Sequence, residues 1–559
     1  MEKIFRIFGK EYGSINQAAL LLGSSAFLSQ LLALFRDRSI AHFIGPSSAL
    51  DAYYAAFRVP DLIFISIASL ASITVLIPFI ATKMEGGKIT KEASKLLSDV
   101  FTVFLSVMIL LSILAFFLMP YLVSFIAPGF TPALQTKVIE LSRIMLLSPI
   151  LMGLSNLFGT VTQLFRKFFI YALSPIFYNI GIIIGVLFLY PLLGISGMAF
   201  GVALGAFLHF LIQVFTSISC GFAPKFSFSI NFSDIKNVIL TSLPRTLGLS
   251  MNNIALVCII AFASFLKVGS ISIFNLSLNL QSVPLNIIGV SFAVAAFPTL
   301  AQSISLGKMD EFKNYLRSAG RAIVFWSLPV TFLFIVLRAQ IVRVILGSGS
   351  FSWENTRLVA ASLAIFSVSV LAQGMIALLS RAYYAKGETK RPLQVNLLCS
   401  VFIIFLSYIF INIFESFPFF RYFIESILKV NDIPGTEVLM LPLAYSVGTI
   451  LNFIFHLFFM HKDFMERGTF IAKTFFQSLG ASFFIALVAY LSLNIFSPIF
   501  GTTTFWGVFL QGFISGILGI VSGILVLYLL KNQELKDITK ALHTNFWRAK
   551  VVAPPQEGL

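Results

Sequence analysis

Long apolar runs recur from one end of the chain to the other, separated by short polar or charged stretches. A helix needs about 20 such residues to cross a hydrocarbon core about 30 Å thick, whereas a barrel strand needs only about 10. Inside lipid, every backbone N–H and C=O must be satisfied within its own segment, and runs of this length do that as helices. The pattern predicts about fourteen transmembrane helices, centred near residues 24, 68, 111, 152, 180, 206, 254, 286, 328, 368, 402, 448, 483 and 517. The fold class is therefore all-α and polytopic.

Charge fixes the orientation of these spans. Alternate connections are rich in lysine and arginine: Lys3, Arg6 and Lys10 before the first run, then Lys83, Lys88, Lys91 and Lys95, then Arg166 and Lys167, Lys225 and Lys236, and so on to Lys531–Lys550. The connections between them are much poorer. Cytoplasmic loops carry the positive excess, which places both termini in the cytoplasm and requires an even number of spans. The basic N-terminus followed by a long apolar run resembles a secretory leader, but it lacks a small-residue cleavage site and reads as a retained first span.

Composition agrees. The chain has 559 residues, of which 58% are hydrophobic and 11% charged. A soluble domain cannot hide that much apolar surface. The net charge of +16 would fit a nucleic-acid partner if clustered; spread over alternate loops it is topology, and no nucleic acid is expected. Three separated cysteines and five scattered histidines give neither a disulfide framework nor a metal site. No nucleophile elbow, phosphate loop or carboxylate pair suggests an enzyme. The stretch 414–437, mixing Phe417, Phe419, Phe420 and Tyr422 with Glu415, Arg421, Glu425 and Lys429, predicts an amphipathic helix lying in the extracytoplasmic interface.

Two stretches six spans apart are alike: PGFTPALQTKVIELSRIMLLSPILMG (Pro128–Gly153) and GSFSWENTRLVAASLAIFSVSVLAQG (Gly349–Gly374). Repeats with an even offset share an orientation, so two six-helix bundles related by an axis along the membrane normal are expected, with a path between them. The expected segments are a cytoplasmic N-terminus (1–13), an N-terminal bundle (14–222), a C-terminal bundle (233–460), two additional spans (470–530) and a cytoplasmic tail (531–559).

Ionisable residues at membrane depth usually face water or each other. Arg36, Asp37, Asp51 and Arg58 lie at the outer ends of the first two spans, and Arg245 follows Pro244 inside the seventh. Arginine offers a planar, permanently charged fork suited to phosphate oxygens. Arg36, Arg58 and Arg245 are thus candidate contacts for an anionic headgroup. Asp37 and Asp51 are candidates to orient them, or to break and reform ion pairs as a gate moves. A snorkelling pair at a helix end is the alternative for the first group, and a lipid-headgroup contact for Arg245. Pro60 and Pro284 lead the hinge candidates, with Pro78, Pro175, Gly289 and Pro298 behind them.

The segments SQLLALFRDRSIAHFIG and DAYYAAFRVPDL (Ser29–Leu62), FRKFFIYALSPIFYNIGIIIG (Phe165–Gly185) and RAYYAKGETKRP (Arg381–Pro392) resemble the MurJ (MviN) lipid II flippase family of the multidrug/oligosaccharidyl-lipid/polysaccharide exporter superfamily. The resemblance runs from the N-terminus through the fourteenth span. It implies alternating access by a V-shaped cavity, a role in peptidoglycan synthesis and cell shape, and a plasma-membrane location. The implied substrate is an undecaprenyl-pyrophosphate-linked disaccharide pentapeptide. It also places Arg36 and Asp51 on positions the family uses for transport. The chain departs from the family pattern at three cavity arginines, which read Gln30, Phe64 and Asn279, and at a gate glutamate and its glycine, which read Ser69 and Leu70. Sodium ligands have no counterpart where Asn252, Asn253 and Ser407 stand. No cofactor is expected, the membrane potential is the expected driving force, and a monomer in contact with membrane lipids and cell-wall synthesis machinery is the expected state. Two other readings stay open: export of a different polyprenyl-linked saccharide, and a non-transporting scaffold that kept the fold.

Overall fold

The computed structural model describes residues 15–68, 80, 84–85, 88–165, 167–222, 225–463 and 471–547. It is helical almost throughout. The first half runs α1 (Ile15–Phe43), α2 (Ser48–Ala56), α3 (Arg58–Ala68), a minimal hairpin of β1 (Met84–Glu85) and β2 (Lys88–Ile89), α4 (Lys91–Ile126), α5 (Pro132–Met145), α6 (Leu147–Leu164), α7 (Phe168–Ile184), α8 (Tyr190–Leu193) and α9 (Ile195–Ser219). The second half runs α10 (Phe232–Ala263), α11 (Ser270–Pro284), α12 (Ser291–Ser305), α13 (Met309–Val336), α14 (Arg338–Ile345), α15 (Trp353–Val368), α16 (Val370–Ala385), α17 (Lys390–Ser416), α18 (Pro418–Leu428), α19 (Met440–Asp463), α20 (Ala472–Phe500), α21 (Phe505–Leu529) and α22 (Gln533–Trp547).

Eleven helical stretches among the described residues are long and apolar enough to cross a membrane, or twelve with α15 and α16 counted as one span bent by 42°. They coincide with the twelve spans expected from residue 91 onward. The expected first span lies on α1, and the second starts at α2–α3 and continues into residues 69–79, outside the described set, so fourteen remains an approximate count. Ser69, Leu70 and Pro78 are among those residues.

Contacts group the chain into two compact units: one of Met1–Val283, Val342–Ser369 and Gly387–His456, the other of Pro284–Ile341, Val370–Lys386 and Leu457–Leu559. In the first, α7 and α9 meet through glycine. A Cβ on Gly181 would lie 2.2 Å from the Gly205 Cα, and one on Gly185 would lie 2.5 Å from the Gly201 Cα. Lipid gives little hydrophobic drive between helices, so close backbone approach supplies the packing. In the second unit, Gly289 and Gly374 meet in the same way, with 2.5 Å from a Gly289 Cβ to the Gly374 Cα.

Both proline candidates sit at helix irregularities. Proline cannot bond to the carbonyl four residues back; α2 accordingly stops at Ala56 and α3 restarts at Arg58, so Pro60 falls in a first turn where no N–H is needed. Pro284 ends α11, and a π-helical stretch, Leu285–Val290, follows directly. The unit boundary falls at the same residue.

The 414–437 stretch folds as the helix α18 and a 3₁₀ turn, Thr436–Leu439. Its buried side holds Glu425, which accepts from Arg421 Nε at 3.0 Å and from Thr436 Oγ1 at 2.6 Å. Phe419, Tyr422, Phe423 and Ile427 are exposed, as an interfacial helix requires.

Candidate functional site

A polar pocket of about 230 Å³ lies in the first unit, lined by residues of α1 (Arg36, Asp37, Ile40), α2 and α3 (Tyr53 to Asp61), α7 (Tyr178, Ile182) and α11 (Asn275, Leu278, Asn279). Local sequence explains how each wall is set. Gly45 adopts φ 62°, a left-handed conformation that glycine takes freely, and turns the chain out of α1. Ser47 then caps α2, its Oγ accepting from Leu50 N at 3.3 Å. The break at Phe57 brings Arg58 and Asp61 round toward α1.

Arg36 and Asp37 form an ion pair: Nη2 is 2.8 Å and Nε 2.9 Å from Asp37 Oδ1. The third guanidinium nitrogen, Nη1, donates to Asn179 Oδ1 at 3.1 Å, and Asn179 in turn donates to the Pro175 carbonyl at 3.1 Å. The second oxygen of Asp37 accepts from Asn279 Nδ2, also at 3.1 Å. The Arg36 fork is thus held from three helices. Neighbouring Arg38 points elsewhere and donates to the carbonyls of Val344 and Ile345 at the end of α14, where a cation complements the helix dipole.

Arg58 is only 9% exposed. Its Nη2 donates to Asn275 Oδ1 at 2.5 Å, while its buried Nε has no partner among the described residues. It occupies the first position of α3, where the helix dipole disfavours a cation. Asp61, three residues on and in the same pocket, is the nearest compensating charge on that helix. The Tyr54 hydroxyl is likewise buried without a partner. Two guanidinium groups and two carboxylates leave the pocket formally neutral, with a buried Nε–H and a phenol still free to bind.

Asp51 departs from its expected role. Its carboxylate accepts from Gly269 N at 2.6 Å, Ser272 N at 2.8 Å and Ser272 Oγ at 2.6 Å. It therefore caps the start of α11, more than 200 positions along the chain, instead of pairing with an arginine. The reason is dipolar: the first N–H groups of α11 are orphan donors and a buried carboxylate satisfies two of them. Arg245 lies on α10, but its side chain is outside the described residues. Pro60 lies in the first turn of α3, beside the pocket residues Arg58 and Asp61; Pro284 ends α11, five residues beyond Asn279. Of Gln30, Phe64 and Asn279, Asn279 lines the pocket.

Sequence reasoning missed Asp61, Tyr54, Asn179 and Asn275. The spacing of Arg58 and Asp61 was the one available signal, since residues three apart share a helix face. Among the described residues, no group of histidine, cysteine and carboxylate side chains is placed to hold a metal.

The profile of the family described as "Lipid II flippase MurJ" matches residues 40–510. The chain belongs to this family. Curated relatives include the probable lipid II flippase MurJ of Rhizobium tropici, 27% identical over 390 residues, covering 68% of this chain and 73% of the relative. That of Buchnera aphidicola subsp. Baizongia pistaciae is 23% identical over 467 residues, covering 82% of this chain and 85% of the relative. Among solved structures, a lipid II flippase MurJ in an inward closed conformation matches with TM-score 0.72 at 23% identity, over 93% of this chain and all of the other. An inward-facing MATE transporter of the MOP superfamily matches with TM-score 0.59 at 15% identity, over 79% of this chain and 98% of the other. These likenesses place the MurJ-family chain in the MOP fold.

Proposed function

We propose that this protein carries lipid II, the lipid-linked peptidoglycan precursor, from the inner to the outer leaflet of a bacterial plasma membrane. It does so by alternating access between six-helix bundles over 14–222 and 233–460, both termini being cytoplasmic. Membership of the MurJ family supports the substrate class; the observation that carries the mechanism is that half-buried Arg36 and buried Arg58 line one pocket. Arg36 and Arg58 hold fixed, water-poor donors where a diphosphate would bind, and Arg58 Nε and Tyr54 Oη are unsatisfied until something arrives. The pocket is smaller than the ~300–1,000 Å³ typical of sites for drug-sized ligands. It has room for a diphosphate and none for a disaccharide peptide, as expected of a closed state.

The Arg36–Asp37 pair supplies the switch. An arriving diphosphate competes with Asp37 for the fork, and release of the headgroup lets the pair reform. No bond in the substrate is made or broken. Moving a net anion outward from a negative interior is helped by about 2.3 kcal/mol per charge per 100 mV, so membrane potential drives the step and sodium does not. Arg36 and Asp37 favour this reading over a scaffold, since a scaffold has no need of a buried cation with replaceable partners.

The direct test is rescue. In a bacterium depleted of its own lipid II flippase, expression of this chain restores growth, and Arg36→Ala abolishes the rescue at equal protein level. Rescue untouched by the substitution, or none from the unaltered chain, would overturn the assignment. In proteoliposomes, collapsing the potential slows flipping and removing sodium does not; strict sodium dependence would overturn that half.

A further inference from the structure

A second pocket, of about 770 Å³, opens at the charged end of α4, between Thr90, Lys91, Ser94, Lys95 and Ser98 on that helix and the 226–229 segment. It shares no residue with the Arg36 pocket. The helix is 36 residues long, about 54 Å at 1.5 Å per residue, against a core of about 30 Å. Its Lys91–Asp99 end therefore projects beyond the membrane, on the face that loop charge assigns to the cytoplasm.

The pocket is built rather than incidental. Ser227 N donates to Thr102 Oγ1 at 2.9 Å and Asn231 N to Asp99 Oδ2 at 3.1 Å, binding the 226–231 segment along α4. The Phe101 and Phe226 rings meet edge to face, with centroids 5.7 Å apart. The lining carries two ammonium groups and five hydroxyls and no carboxylate. Ser98, only 8% exposed, lines this cavity. Glu92 stands exposed beside Lys91. Asp99 lies behind the lining with its Oδ1 buried and unpartnered, which repels an anion from the deep end and favours the lysine end.

We propose that this pocket is a second anion site, which takes the phosphate group of a phosphate ester at the cytoplasmic face. Lysines supply compact, strongly hydrated charge and hydroxyls supply short donors, together a set suited to phosphate. The N-terminus of α4 adds its positive dipole end, with Thr90 Oγ1 already accepting from Ala93 N at 3.2 Å. Phe228, fully exposed at the rim, offers apolar surface to whatever carries the phosphate.

The test uses the full-length protein in detergent micelles. Native mass spectrometry compares binding of phosphatidylglycerol and phosphatidylcholine to the unaltered chain, to Lys91→Gln/Lys95→Gln, to Ser98→Ala, and to Lys313→Gln/Arg317→Gln as a charge-matched control. Thermal shift with inorganic phosphate and pyrophosphate runs alongside. Phosphatidylglycerol binds more tightly than phosphatidylcholine, and that preference falls roughly tenfold or more in the Lys91/Lys95 variant. It falls less in Ser98→Ala and stays in the control. If free phosphate stabilises the protein in a Lys91/Lys95-dependent way and displaces the lipid, the ligand is a soluble phosphate; if lipid alone responds, it is a headgroup. Equal binding of both lipids with no response to phosphate, or equal loss in the control, overturns the site. Because only the Lys91/Lys95-dependent part of binding is read, failure here says nothing about flipping.

Discussion

Arg36→Ala isolates the central ion pair. The guanidinium lies 2.8 Å from an Asp37 side chain that is 4% exposed. Without it, Asp37 keeps one neutral donor, Asn279 Nδ2 at 3.1 Å. Removing one partner of a buried pair costs about 3–5 kcal/mol, because a charge is left desolvated and uncompensated. The Arg36 side chain is 19% exposed, so water reaches part of the vacated space, and the loss should be near the lower end, about 3 kcal/mol. Adding Asp37→Asn removes the stranded charge and leaves an amide that Asn279 can still engage. The double variant should therefore recover to within about 1 kcal/mol of the unaltered protein, a strong coupling between adjacent sites. Unfolding by heat or denaturant in detergent measures the stabilities, and lipid II flipping in proteoliposomes measures the activity. The expected result is a destabilised, inactive single variant and a stable, inactive double variant. A double variant that regains transport along with stability would show that Arg36 serves only as a counter-ion. A single variant with an unchanged midpoint would show that the pair is not desolvated.

Asp51→Ala should destabilise by about 1–3 kcal/mol, since three donors at the start of α11 lose their acceptor; Asp51→Asn should recover part of this, and equal unfolding midpoints for all three would exclude the cap. Gly205→Ala places a Cβ 2.4 Å from the Tyr178 carbonyl oxygen, whereas Gly480→Ala meets nothing within 4 Å. The first should lower stability by about 1–3 kcal/mol and the second should be neutral or stabilising, as thermal melts would show. Arg357 binds Asp432 through Nη1–Oδ2 at 2.8 Å and Nη2–Oδ1 at 2.6 Å, and these hydrogen bonds hold the Asp432 carboxyl below its ordinary range. A depressed carboxylate stabilises above its unfolded value, so this tie should be intact from neutral pH down through the usual carboxylate range and be lost only in stronger acid. Asp432→Asn should speed amide exchange around 418–435 at neutral pH, and the difference should vanish in acid strong enough to protonate Asp432; unchanged exchange at neutral pH would refute the tie.

Much of the molecule follows from its sequence alone, for reasons that can be named. In a bilayer a segment must be apolar for about 20 residues and satisfy its own backbone, so hydropathy locates spans with little help from partners. The alternation of lysine and arginine then orients them. The amphipathic stretch around Arg421 and Glu425 was readable too, because its aromatic and charged residues alternate at helical spacing. The candidacy of Arg36 and Asp37 came from charge at membrane depth, a local property.

Tertiary structure decided what each charge does. Asp51 and Asp37 look alike in sequence, yet one caps a helix start at Gly269–Ser272 and the other binds the adjacent guanidinium, because the partner of Asp51 lies 221 positions away. Asn179, Asn275 and Asn279 are unremarkable amides in apolar runs until α7 and α11 bring them to Arg36, Arg58 and Asp37. Lys91 and Lys95 read as topology signals until the 226–231 segment folds against α4 and makes a pocket beside them. Burial and periodicity are written along the chain; the meeting of distant polar groups depends on helix contacts that no local pattern encodes.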